Sequence, residues 1–421
     1  MDILALNCGS SSLKYQLFSW DKKEVIASGM VERVTVGGSF IVHEVPGRED
    51  YKETHDCPDH VVAVELIIRT LCDPKVGVVK SMNEISAVGH RVVHGGEKFT
   101  CSALITEEVL QGIRDVQHLA PLHNPANIAG IEAAMNVLPD APQVAIFDTA
   151  FHQSMPEKAY IYPVPYEWYA DHGVRRYGFH GTSHLYVSKR AAALLGKKAE
   201  DTNIITLHIG NGVSFCAIQK GQSVDTSMGL TPLEGAIMGT RSGDIDPAIP
   251  SFMMGRLGVT PKEMDSILNK KSGILGVTGR YTDRRDVTTH AKEGDKRCQL
   301  AMEIEAYRIK KYIGSYLTAI GCADAIVFTA GVGEMGAEIR QMTLEGLECL
   351  GIYVDTEVNM KTRTRKRETE ITTPDSPVKA FVIPTNEELV FVEDVVGILN
   401  GTYCGHMEYP YTFASPDYVK G

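Results

Sequence analysis

Several stretches gather residue types suited to holding a phosphate, a carboxylate or a hard cation. Asn7-Cys8-Gly9-Ser10-Ser11-Ser12-Leu13-Lys14 puts an amide, a glycine, three hydroxyls and an ammonium around one turn. Backbone N–H groups and hydroxyls there can approach phosphate oxygens closely. A plain serine-rich turn explains the same residues equally well, and the G-x-x-x-x-G-K-[ST] spacing of a Walker loop is absent. Gly210-Asn211-Gly212 with Ser214 offers the same chemistry and the same alternative. Gly331-Val332-Gly333-Glu334 reads as a short glycine turn after a strand, a common punctuation.

Arg91, in Gly89-His90-Arg91-Val92-Val93-His94-Gly95-Gly96, stands among small, apolar and imidazole neighbours. Such an arginine calls for an anion, either a ligand or a buried carboxylate. Arg241, between Gly239 and Gly243, and the pair Arg284 and Arg285 repeat the setting. The glycines around Arg241 suit a backbone-tight approach to a ligand. Asp148 closes the apolar strand Ala145-Ile146-Phe147, at the strand end where ligands meet α/β sheets, with a helix cap as the alternative. His180 lies beside a glycine in Phe179-His180-Gly181-Thr182-Ser183-His184, where a structural histidine is the commoner reading. Glu387 and Glu388 follow the strand Ala380 to Ile383; they suit a hard cation, or the first turn of a helix capped by Thr385.

The elements that must carry these residues alternate between strand and helix, which implies an α/β protein. Ile3 to Leu6 reads as a strand, Gly9 to Ser12 as a turn and Leu13 to Phe18 as the return strand. The pattern recurs at Ile204 to Leu207, Gly210 to Gly212 and Val213 to Ile218, so the chain looks duplicated, with a boundary near residue 150. Ala306, Ile309, Ile313, Leu317 and Ile320 form a helical apolar stripe, followed by a strand at Ala325 to Phe328. The basic run Lys361 to Arg367 reads as a solvated loop or strand edge, and Gly401 to Gly421 shows no period.

The length of 421 residues favours two domains. A formal net charge of -11 argues against a general nucleic-acid or anionic-membrane binder. The nine cysteines are scattered without a C-x-x-C pair, so neither a disulfide framework nor a structural zinc site is expected. No signal-like or membrane-spanning run is present, and the cytosol is the simplest compartment.

From Asn7 to about Glu388 the segments together resemble the acetate kinase family. The N-C-G-S-S-S-x-K opening and G-F-H-G-T-S-H, Gly178 to His184, look like its two signature motifs. The resemblance implies the duplicated two-domain actin-like ATPase fold, shared with hexokinase and heat-shock chaperone ATPase domains, with the active site in the interdomain cleft. Residues 1–150, completed by 386–400, would form the carboxylate and metal side, and 151–385 the nucleotide-binding domain. Residues 401–421 would be an extension of unassigned role.

The activity so implied is reversible, direct in-line transfer of the ATP γ-phosphoryl group to acetate, giving acetyl phosphate and ADP. It would use Mg2+, or Mn2+ in its place, in a cytoplasmic homodimer with no nucleic-acid or membrane partner. The alternatives are a propionate or butyrate kinase of the same family, or a non-catalytic ATP-driven clamp. By resemblance, Asn7 and Glu387 place the metal, and Arg91, Asp148, His180 and Arg241 serve catalysis, with Arg91 also binding the carboxylate. Asp148 is read as orienting an arginine or a metal-bound water rather than as a base. Val93, Leu122, Phe179 and Pro232 line a small apolar pocket. Lys14, His208, Ile209, Gly210, Asn211, Gly212, Asp283, Arg284, Arg285, Gly331, Val332, Gly333, Glu334 and Met335 meet the nucleotide. Met335 and Arg284 depart from the family's usual residues, asparagine and a hydrophobic residue respectively.

Overall fold

β1 (Asp2–Cys8) and β2 (Ser12–Ser19) pair antiparallel, with Asn7 opposite Lys14. Between them the Gly9 N–H donates to the Ser12 carbonyl at 2.8 Å. The computed structural model describes residues 1–420, which divide into two compact units. The first takes Met1–Phe151 and Asn386–Thr412, and the second His152–Thr385 and Phe413–Lys420.

The first unit continues through β3 (Glu24–Glu32), β4 (Phe40–Glu44), β5 (Tyr51–Thr54), β6 (Ile85–Val92), β7 (Ala103–Leu104) and β8 (Gln143–Phe147). Its sheet runs β5-β4-β3-β2-β1-β6-β8-β7, with β1, β6 and β8 parallel and the rest antiparallel. Leu4, Leu6, Leu13 and Leu17 pack with Ile67 and Leu71 of the helix His60–Leu71 and with Ala133 and Ala134 of the helix Asn124–Val137. A second cluster joins Val92, Ile113 and Ile131 to Phe99 and Phe147, whose rings stack at 4.4 Å. Each buried Leu, Ile, Val or Phe of these clusters is worth about 1.5–3 kcal/mol. The helix Glu387–Leu399, buried along most of its length, lies against β1, β6 and β8.

The second unit repeats the plan with β9 (Asn203–Ile209), β10 (Val213–Gln219), β11 (Gln222–Thr226), β12 (Ala325–Thr329), β13 (Thr369–Glu370) and β14 (Lys379–Val382), ordered β11-β10-β9-β12-β14-β13. β9, β10 and β11 are antiparallel neighbours, while β9, β12 and β14 run parallel. Strand for strand, β3-β2-β1-β6-β8 and β11-β10-β9-β12-β14 match in order and direction. The duplication seen in two hairpins thus extends through five strands of each sheet. The helix Lys296–Ile320 buries the expected Ala306, Ile309, Ile313, Leu317 and Ile320, and is capped by Asp295, which accepts from the Arg297 and Cys298 N–H groups.

Two local readings are corrected. Gly331 to Glu334 is not an open turn but part of a short helix, Ala330–Met335, entered through Ala330 at φ +63°. The helix after β14 is capped by Asn386 rather than Thr385, its side chain accepting from the Leu389 N–H at 3.2 Å. Among the described residues no helix is long and apolar enough to cross a membrane, and all nine cysteines are free.

The aperiodic carboxy-terminal stretch is held by side chains instead of a ladder. In the first unit, Ser102 Oγ and Tyr411 OH both donate to Asp394 at 2.6 Å. In the second, Arg190 Nη1 donates to the carbonyls of Phe413 and Ser415 at 2.7 Å, while its Nε and Nη2 hold Glu368. Lys420 Nζ donates to the Thr385 carbonyl at 2.7 Å.

Burial pushes the Asp394 carboxyl from 3.8 up to about 7, with Glu393 adding to the effect against the hydroxyl donors. A pKa raised on folding gives stability that is complete below the unfolded value and is lost as pH rises through the folded one. The stability advantage of the native chain over Asp394→Asn is therefore expected to shrink between about pH 4 and about pH 7. Thermal melts of both proteins across that range check it, and a constant gap would contradict it.

Candidate active site

In the first unit a cleft of about 230 Å³ is lined by Asn7, Lys14, Arg91, Glu387 and Glu388. The hairpin register brings Asn7 and Lys14 together. The parallel register of β6 and β8 sets Arg91 beside Ile146, and the Asp148 N–H donates to the Val92 carbonyl at 3.0 Å. Arg91 then meets Asp148 in a forked pair: Nε donates at 2.9 and 3.1 Å and Nη2 at 2.6 Å. Asp148 is a carboxylate acceptor here, not a helix cap. Burial opposes the Arg91 charge, but Asp148, with Glu387 and Glu388, overrides it and raises its pKa. Nη1 has no hydrogen-bond partner among the described residues.

Val93 follows Arg91 and is buried, its N–H donating to Asn127 Oδ1 at 3.0 Å. Asn127 Nδ2 in turn donates to the Cys8 carbonyl at 2.8 Å, and Asn124 grips the His94 backbone, accepting from its N–H and donating to its carbonyl. Leu122, expected to line a pocket, is 59% exposed.

The oxygen donors of Asn7 and Glu387, with Glu388 beside them, fit a hard cation. No group of three or more His, Cys, Asp or Glu among the described residues is arranged to hold a metal ion. One or two carboxylates with remaining waters and substrate phosphates is the way Mg2+ is usually held.

In the second unit the turn Gly210 to Gly212 after β9 is where the other candidates meet. A Cβ on Gly210 would lie 3.8 Å from the Ala330 Cβ, at the head of the Gly331–Met335 segment. A Cβ on Gly212 would lie 3.3 Å from His180 Cε1, 3.5 Å from His180 Nε2 and 3.6 Å from Arg241 Nη1. A Cβ on Gly239 would collide with Asn211 Oδ1 at 2.3 Å and lie 3.2 Å from Arg284 Nη1. His208, Ile209, Asn211, Arg284, Arg241 and His180 thus occupy one neighbourhood.

His180 takes the left-handed conformation, φ +57°, just before the helix Gly181–Leu194, a strain of the kind kept at functional sites. Its ring stacks on His208 at 4.1 Å, and its Nδ1 is 2.8 Å from Ser214 Oγ. Gly178, two residues earlier, has φ +80°, and a Cβ there would meet Thr226 Cγ2 at 2.3 Å, so only glycine fits. Phe179 is buried, and its carbonyl is 3.0 Å from His152 Nε2.

Arg241 is only partly exposed. Its Nη1 donates to the Pro232 carbonyl at 3.0 Å and meets Met238 Sδ at 3.6 Å. No carboxylate faces it among the described residues, and burial lowers its pKa. Arg284 differs: Glu305 occupies its Nε and Nη2 at 3.2 and 2.9 Å, both side chains being nearly enclosed. Asp283 caps the helix Arg284–Lys292 and pairs with the exposed Arg285, whose hydrogen bond takes the Asp283 carboxyl down to about 2. Glu334 is buried and accepts from the Thr385 N–H at 3.2 Å, and Met335 is 37% exposed.

The family model described as the acetokinase family matches residues 2–393. The chain belongs to the acetokinase family. An acetate kinase of Trichlorobacter lovleyi is 71% identical over 420 residues, covering 100% of both chains. The crystal structure of Porphyromonas gingivalis acetate kinase aligns with a TM-score of 0.91 at 48% identity, covering 94% of this chain and 99% of that one. A propionate kinase structure from Francisella tularensis aligns with a TM-score of 0.86 at 40% identity, covering 93% and 98%.

Two supporting features of this acetokinase-family chain escaped the sequence reading. Asn124 and Asn127 left a signal, two amides three apart among apolar positions of one helix. His184, deep under the site, was quoted within a motif without a task.

Proposed function

We propose that the chain is an acetate kinase, moving the ATP γ-phosphoryl group onto acetate and back. The observation that carries this reading is Arg241: a partly buried guanidinium without a carboxylate, next to His180 Nε2. Such a charge needs an anion, and a loose phosphoryl-transfer transition state spreads negative charge over three equatorial oxygens. Arg241 and His180 are assigned to those oxygens. The unpartnered Nη1 of Arg91 is assigned to the acceptor carboxylate. An acid with a pKa of about 4–5 is already ionised at neutral pH, so no base is required, and Asp148 serves by fixing Arg91.

Asn7 and Glu387 would hold Mg2+, which when bound neutralises phosphate charge. His208 to Gly212, Asp283 to Arg285 and Gly331 to Met335, with Lys14, are assigned to ATP. Arg284 would contribute there through its Nη1 and its stem, since Glu305 takes the rest of the fork. The reading also includes a homodimer in the cytosol.

Trapping the product with hydroxylamine tests the activity. Acyl hydroxamate should appear with ATP, Mg2+ and acetate together; no hydroxamate with any short carboxylate would overturn the reading in favour of an ATP-driven clamp. For acceptor size, Val93→Ala is expected to raise the propionate-to-acetate ratio of kcat/KM about tenfold, the scale of one methylene in an apolar pocket. An unchanged ratio would remove Val93 from the pocket.

A further inference from the structure

Ser214 Oγ lies 2.8 Å from two imidazole nitrogens at once, Nδ1 of His180 and Nε2 of His184. A serine hydroxyl has one proton to donate, so one of the two rings must bring an N–H to it. His184 is fully buried, and its Nδ1 is 2.7 Å from Thr206 Oγ1. Burial, followed by the neighbouring His152 and His208, depresses the His184 pKa well below the ordinary histidine value. The ring is therefore neutral and carries a single N–H.

Two arrangements use the Ser214 proton within these contacts. In the first, the Thr206 hydroxyl donates to His184 Nδ1, His184 Nε2–H donates to Ser214, and Ser214 donates to His180 Nδ1. His180 then carries its own proton on Nε2. In the second every donor is reversed, and His180 Nε2 is a bare lone pair unless the ring gains a second proton. Nε2 is the nitrogen beside Gly212 and Arg241. A negatively charged oxygen there favours an N–H and is repelled by a lone pair.

We propose that His184 and Ser214 are positioning residues: the chain Thr206 to His184 to Ser214 to His180 fixes the His180 proton on Nε2, ready to donate to the phosphoryl oxygens. Within the second unit His208, His184 and Arg241 are among the titratable and charged groups near His180. The proposal rests on the assignment of His180 to the transferred phosphoryl group.

The test is Ser214→Ala, measured by kcat and KM across about pH 6 to 8.5, with His180→Asn and Ser214→Thr alongside. With the serine gone the His180 tautomer is no longer set. At pH 8 kcat should fall about tenfold and recover as pH is lowered and a second proton restores the Nε2–H. KM for ATP and acetate should stay within about twofold, the native profile should be flat over the same range, and Ser214→Thr should restore it. A Ser214→Ala enzyme with unchanged kcat, or with a loss equal at every pH, would overturn the relay. If His180→Asn itself leaves kcat unchanged, the assignment of His180 fails instead. Imidazole nitrogen NMR shifts of the resting enzyme give a reading independent of turnover: the proton on Nε2 of His180 supports the proposal, and on Nδ1 refutes it.

Discussion

Replacing Arg91 with alanine is expected to lower kcat/KM for acetate phosphorylation by about 10²–10³-fold and folding stability by about 3–5 kcal/mol. Both losses have one cause. The guanidinium offers Nη1 to the acceptor and uses Nε and Nη2 to neutralise Asp148, whose side chain is 2% exposed. Alanine removes the acceptor clamp and strands a carboxylate in the interior. Adding Asp148→Asn to Arg91→Ala should recover much of the stability and none of the activity. Urea unfolding and steady-state kinetics on the two single variants and the double variant separate these effects. Equal recovery of both would mean that Arg91 acts only as a structural partner for Asp148.

The counterpart is Arg241→Ala, expected to reduce kcat about a thousandfold, the lower range for an arginine on a transferring phosphoryl group. Stability should change by no more than about 0.5 kcal/mol. Arg241 has a carbonyl and a thioether for company and no carboxylate to leave behind. Calorimetry beside kinetics checks both halves. A large drop in melting temperature would make Arg241 a structural residue. Arg91 and Arg241, which look interchangeable as sequence, should therefore part company in a stability assay.

Short-range patterns carried the sequence reading. The hairpins at β1–β2 and β9–β10 and the stripe of the helix Lys296–Ile320 depend on neighbours a few residues apart, and were legible for that reason. Arg91 and Asp148 were each singled out, and an anionic partner for Arg91 was foreseen. That Asp148 would orient an arginine was also an expectation, but which arginine was not legible, because the pairing depends on the parallel register of β6 and β8 across 57 positions of sequence. The helix at Ala330 was hidden because a glycine pair normally signals a turn, and Ala330 enters it through a conformation that alanine rarely adopts. The carboxy-terminal stretch has no period to read. Its order comes from distant single contacts, Arg190 with Phe413 and Asp394 with Tyr411. Leu122 drew attention through its apolar type and its place in the family pattern, neither of which reports exposure.

The discontinuity of the first unit has a consequence for the ribosome. Strands β1 to β8 are translated first, yet the helix that covers β1, β6 and β8 begins only at Glu387. At roughly 5–20 residues per second, translating His152 to Thr385 takes on the order of 10–50 s. For that interval the nascent amino-terminal sheet has an apolar face without its cover. The second unit, apart from Phe413–Lys420, is one continuous segment of chain, so the half made later can be the half that folds first. The amino-terminal half is thus complete only once the helix Glu387–Leu399 has been made.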